Sequence, residues 1–227
     1  RPVGRAGYGP GVDVTFSRTG WQRYGVRVQP PGAEPLGAES APGFDRWLPH
    51  DLVHFVVEAE LGLRLGVFGR VAAGGAGLFL AADPAERKRR ARRDQQLHRA
   101  DRGDMVRSEK LTQASQVLWK ARRGLPVPQG WLRGLDASVS QSPEMQRILA
   151  RLDEVADAWA EVEQGGSLTL VWPHPPFRFG GGDSGGGRDG RSAGSRFGGP
   201  GRGADRRGTD RRGGNRRPRR GRREPTG

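Results

Sequence analysis

The chain changes character after "SLTLVW" (167–172), and that break decides what can fold. From residue 173 to 227 glycine fills 17 of 55 positions and arginine 15, and the only large apolar side chains are Phe177, Phe179 and Phe197. So little apolar surface cannot offset the entropy lost on ordering a chain, so 173–227 is expected to be a disordered Arg/Gly-rich tail. Residues 1–11, "RPVGRAGYGPG", have no apolar period and read as a disordered leader. A core must come from residues 12–172.

Within that span, "VDVTFSRTGWQRYGVRVQ" alternates Val12, Val14, Phe16 and then Tyr24, Val26, Val28 about "RTGWQ". Period two with β-branched and aromatic residues predicts a β-hairpin. Pro- and Gly-rich 30–43 reads as a loop, and "SLTLVW" as a late strand. Helices are predicted from Pro49 to about Leu63, from Pro84 to about Arg102, over 104–124, and from Pro143 to Val162. The last has Met145, Ile148, Leu149, Leu152, Val155, Ala156, Trp159 and Val162 at helical spacing. In 104–124 the expected stripe is Leu111, Ala114, Leu118 and Ala121, giving a helical hairpin over 104–163. The helix after Pro84 is polar all round, with Ala91, Leu97 and Ala100 as its interior candidates, and is expected to project or bridge. The fold class is α+β: a small antiparallel sheet of about three strands with helices on one face.

The chain has no cysteine, which excludes disulfides, thiolate zinc sites and cysteine nucleophiles. No secretory signal pattern is visible, and the apolar run "VAAGGAGLFLAA" is too short and glycine-rich to span a bilayer, so a cytoplasmic protein without a transmembrane segment is expected.

"LPHDLVHFVVEAEL" (48–61) sets His50 and His54 four apart with Asp51 between them, the outline of H-E-x-x-H. One helical turn brings two such imidazoles to one ion, with a third ligand from elsewhere. Asp51 is one methylene shorter than the glutamate that activates metal-bound water there. A helical wheel puts both histidines at the rim of the apolar arc, Asp51 and Glu58 toward water, and Glu60 inside the arc. Glu58 lies about 12 Å along the axis from His50, too far to share its ion. The third ligand would be His98, His174 or an acid elsewhere. The competing reading gives no metal: His50 hydrogen-bonds near the helix start and His54 packs at the core rim.

The string "RYGVRV … GFDRWLPHDLVHFVVEAELGLRLGVFGRVAAGG" (23–75) resembles an uncharacterised family of bacterial proteins. The likeness covers about a quarter of the chain. It implies no activity and no residue roles.

Ten of the fourteen net positive charges fall in the tail, where fifteen arginines face five acids. "ERKRRARR" adds Arg87, Lys88, Arg89, Arg90, Arg92 and Arg93 within two helical turns, where like charges repel unless an anion neutralises them. In the tail, Arg178, Phe179, Arg196, Phe197, Arg206, Arg207, Arg211, Arg212, Arg216, Arg217, Arg219, Arg220, Arg222 and Arg223 resemble RGG-type tails of RNA-binding proteins. Arginine offers bidentate phosphate contacts and phenylalanine a stacking face. With 36 arginines and three lysines, G+C-rich coding also accounts for such a bias. "GRVAAGGAG" lacks the Gly-Lys-Ser/Thr ending of a phosphate loop.

These features favour a non-enzymatic accessory protein, without cofactor, that binds RNA or single-stranded nucleic acid non-specifically; an acidic protein is a possible partner. The alternatives are a zincin-like hydrolase using zinc at His50 and His54, and a plain protein-interaction domain with an incidental tail.

Overall fold

In the computed structural model the described residues are 11–179, apart from 39, 42–44, 129 and 133–135. The hairpin forms as expected: β1 (Asp13–Gly20) and β2 (Arg23–Gln29) pair antiparallel, with Val14 opposite Val28 and Phe16 opposite Val26. Its tip is Trp21-Gln22, with Gln22 at φ 56 and the Trp21 indole 85% exposed. β5 (Ser167–Val171) pairs with β1 on the other side, with Leu170 opposite Val14.

The sheet has five strands rather than three. β3 (Leu36–Ala38) and β4 (Leu80–Ala81) extend it beyond β2, giving the antiparallel order β4-β3-β2-β1-β5. β3 lies in the stretch that reads as a loop and β4 in the glycine-rich apolar run, and two or three residues are too few to display a period of two.

Alternation puts Val12, Val14, Phe16, Tyr24, Val26 and Val28 in the core. Against them lie Phe55 of α1 (His50–Leu61), Phe68 of α2 (Val67–Ala72) and Trp172. The Phe16, Phe55 and Phe68 rings stand 5.3–6.3 Å apart, edge-on or tilted, which suits their quadrupoles. α4 (Asp104–Arg122) and α6 (Pro143–Ala160) pack on α1 and on each other. α6 buries Met145 through Trp159 as its spacing predicts, and Ser142 caps it by accepting from the Met145 N–H. A short helix, α5 (Ala137–Ser140), precedes it. No helix among the described residues is long and apolar enough to cross a membrane.

α1 begins one residue after Pro49 and ends at Leu61, where Gly62 takes the left-handed conformation. Seven successive residues, Leu52 to Glu58, are buried, so the helix has no wide solvent face. This corrects the wheel for Glu58, which is fully buried. Its Oε1 accepts from the Val67 N–H (2.8 Å) and Ser108 Oγ (2.8 Å), and its Oε2 from the Phe68 N–H (2.9 Å). A carboxylate thus caps α2, where unpaired donors and the helix dipole favour negative charge. Gly66 makes room for it: a Cβ there would stand 2.4 Å from Glu58 Cδ.

α3 (Pro84–Ala100) starts on the predicted cap, with Asp83 accepting from the Ala85 and Glu86 N–H groups. It is docked rather than projecting, and its buried residues are Leu97 and Arg90, whereas Ala91 is exposed. Polar ties seat it: Arg90 Nη1 donates to Gly75 O (2.8 Å), Arg93 Nε to Ala73 O (2.9 Å), and Asp94 accepts from the Ala76 N–H (2.9 Å). Apolar periodicity cannot report contacts of this kind. Packing also continues past Trp172: His174 Nε2 meets Ala59 O at 2.6 Å, Arg64 Nη2 donates to Pro176 O (2.8 Å), and Phe177 packs beside Leu65, Ala73 and Leu97.

Glu58→Ala strips three buried donors of their acceptor, and the expected loss in urea denaturation is at least about 3 kcal/mol. Gly66→Ala is expected to destabilise through the same carboxylate. A Glu58→Ala loss below about 1 kcal/mol would show that the capping interaction is dispensable.

Candidate functional site

His50 and His54 lie one turn apart on α1, with ring centroids 4.8 Å apart and planes near perpendicular. The facing side of α4 presents Ser108, Thr112 and Gln116 at helical i, i+4, i+8 spacing, with Glu109 beside them. His54 Nδ1 is 3.0 Å from Ser108 Oγ and 3.2 Å from Thr112 Oγ1, and His50 Nδ1 is 3.4 Å from Gln116 Oε1. On its other edge, His54 Nε2 is 3.6 Å from Glu109 Oε2. One potential ligand atom from each of His50, His54 and Glu109 lies within 4.8 Å of the others.

With Glu58 ionised, the hydrogen bonds favour one His54 tautomer. Ser108 Oγ donates to Glu58 Oε1 and is left able to accept from a hydrogen on His54 Nδ1. In that tautomer the Nε2 lone pair is on the edge that faces Glu109. An outer partner that fixes an imidazole in this way is the usual support of a metal-binding histidine. His54 is 4% exposed, whereas the Glu109 side chain is 58% exposed, so the cluster spans from core to solvent.

The third potential ligand is therefore Glu109, an acid whose place the sequence does not reveal. His98 is exposed on α3, and His174 is turned to Ala59 O. Asp51 does not face water freely, because it is half-buried and accepts from Tyr24 Oη at 3.0 Å. Burial raises its carboxyl above the ordinary range, Tyr24 and His50 oppose that rise, and Glu109 adds to it. Asp51 ties α1 to β2 instead of standing ready as a base. Burial also raises Tyr24, with Asp51 reinforcing the effect.

Sequence reasoning missed Glu109, Ser108, Thr112, Gln116 and Tyr24. One signal was present: the polar side chains at 108, 112 and 116 repeat the four-residue spacing of 50 and 54. The buried residues of α4 are Ser108, Thr112, Ala114, Ser115, Val117 and Trp119; of the expected stripe Ala114 is buried, Leu111 and Leu118 are half-buried, and Ala121 is exposed.

The six basic positions of α3 have different surroundings. Arg90 is buried, with Nε on Glu86 (2.6 Å) and Nη1 on Gly75 O. Arg93 is half-buried, its Cζ 4.6 Å from the Phe179 ring centroid. Arg87, Lys88, Arg89 and Arg92 are exposed, with Arg89 paired to Glu86. Arg89, Arg90 and Arg93 border a groove of about 770 Å³ whose opposite side includes Trp172 and His174. Arg178 and Phe179 are exposed beside α3, whereas Arg196, Phe197, Arg206, Arg207, Arg211, Arg212, Arg216, Arg217, Arg219, Arg220, Arg222 and Arg223 lie outside the described residues.

No family model, no curated protein and no solved structure matches the chain.

Burial holds His54 down at about 4, with His50 adding to the effect, and pushes the Glu58 carboxyl up to about 7 against the hydrogen bonds it accepts. Between pH 4 and 6.5 the unfolded chain binds a proton that folded His54 excludes, so this group makes stability rise with pH. Between pH 4.5 and 7 folded Glu58 keeps a proton that the unfolded chain has shed, so this group makes stability fall with pH. In the metal-free protein the two slopes oppose each other. Relative to the unaltered chain, His54→Asn is expected to tilt stability downward with rising pH and Glu58→Gln upward, by at most about 1.4 kcal/mol per pH unit. Parallel profiles in urea titrations at several pH values would refute this.

Proposed function

We propose that this is a divalent-metal-binding protein in which His50, His54 and Glu109 hold zinc in a site open to hydrolytic chemistry. The observation that carries this reading is the approach of the Glu109 carboxylate to an imidazole whose Nδ1 is already engaged by Ser108. Two imidazoles and a carboxylate form a donor set that zinc accepts, and three protein ligands leave a fourth position for water. Zinc lowers the pKa of such a water to about 7 and polarises a carbonyl, so the metal itself would supply the nucleophile. With Asp51 held by Tyr24, no glutamate-like base stands at the second position of the motif.

The test is elemental analysis of the full chain after zinc loading and dialysis. One zinc per chain is expected, with His54→Ala abolishing it and Ser108→Ala weakening affinity about 10–100-fold through loss of the orienting partner. A protein that stays metal-free would leave the cluster as a polar seam between α1 and α4.

A second reading, binding of RNA or single-stranded nucleic acid, is supported by the contact of Arg93 with Phe179. It brings the start of the Arg/Gly-rich segment beside the exposed cations of α3. Filter binding of a single-stranded oligonucleotide at two salt concentrations tests it. Truncation after Phe179 is expected to weaken binding and flatten its salt dependence. Unchanged affinity and slope would remove the tail from this role.

A further inference from the structure

His50 faces two ways. It belongs to the cluster with His54 and Glu109, and with Gln116 it also lines a cavity of about 250 Å³. We infer that this cavity is the side-chain pocket of the metal site, and that the substrate is an ester or amide whose acyl part carries a neutral aromatic ring. The inference rests on the metal reading and adds a substrate class to it.

Size, charge and shape each narrow the occupant. An apolar cavity of roughly 150 Å³ holds a benzene ring, whereas pockets for whole drug-sized ligands run to about 300–1,000 Å³. A space of about 250 Å³ therefore suits one ring and its attachment. Val117, Val127, Pro128 and Trp131 supply the apolar wall. The charged residues in the lining, Asp45 and Lys120, are paired with each other, and the Lys120 ammonium also lies 5.3 Å from the Trp47 ring centroid. A charged occupant would find no uncompensated partner in that pair. Trp131 is 47% exposed, a large flat surface that gains most when a second ring covers it.

His50 belongs to both the cavity and the cluster, so a ring seated here lies beside that imidazole, and the proposal places the attached carbonyl at the open coordination site. Hydrolysis then balances with water alone. Its oxygen bonds to the acyl carbon, and the bond to the alkoxy or amine leaving group breaks with its electron pair. One water proton goes to the leaving group and the other is released from the new acid.

The zinc-loaded full chain is titrated with acetohydroxamate and benzohydroxamate, which bind zinc through the same two oxygens and differ by the ring. Benzohydroxamate is expected to bind at least about tenfold more tightly. Trp131→Ala should erase that preference while leaving zinc content and acetohydroxamate affinity unchanged, and Trp131→Phe should keep most of it. A chain that takes up no zinc overturns both the metal reading and the pocket. Stoichiometric zinc with no ring preference, or a preference that survives Trp131→Ala, overturns the pocket alone.

Discussion

Glu58 sits where three helices meet, and much of the architecture depends on its carboxylate. It grows from α1, caps α2 and accepts a hydrogen bond from Ser108 of α4, so one buried side chain ties three helices together. A group of this kind is costly to bury, and its donors compensate it only in one arrangement. The glycine at 66 is part of that arrangement, because a side chain there would occupy the volume of the carboxylate. The same carboxylate settles the histidine chemistry. When ionised it accepts the Ser108 hydrogen bond, which leaves the serine able to accept from His54 Nδ1 and favours the tautomer with its Nε2 lone pair toward Glu109.

If zinc binds as proposed, its affinity and folding would be coupled through Ser108. The helix that carries Glu109 is held to α1 by the network that orients His54. A ligand bound by the two histidines and Glu109 would pull on the contact already fastened by Glu58 and Ser108. The proposed site would be preorganised by the fold, since the contacts of its buried half, His54 with Ser108 and Thr112, belong to the fold itself.

Legibility in the sequence followed the kind of interaction. The hairpin, the late strand and α6 were readable because each buries an apolar face at its own period, and Asp83 and Ser142 announced their helices as caps. The His50–His54 pair was readable because one turn of helix is a local distance. Glu58, Glu109 and Arg90 were not readable in their roles, because each owes its place to partners 4 to 55 residues away that are polar and carry no periodic mark. β3 and β4 failed for a different reason. They are too short to hold a pattern, and each adds to an edge already formed, β3 to that of β2 and β4 to that of β3.

The outer edge of β5 pairs with nothing among the described residues. It is a five-residue row of backbone groups, flanked by Ser167 and Thr169 and carrying the partly exposed Val171. Such a row is a template on which another extended chain can assemble. Its length is limited by the residues that follow: Pro173 has no amide hydrogen, and Pro175 and Pro176 repeat the interruption. The chain thereby keeps a strand it needs for its own sheet while denying a visiting strand the continuous ladder that self-association requires.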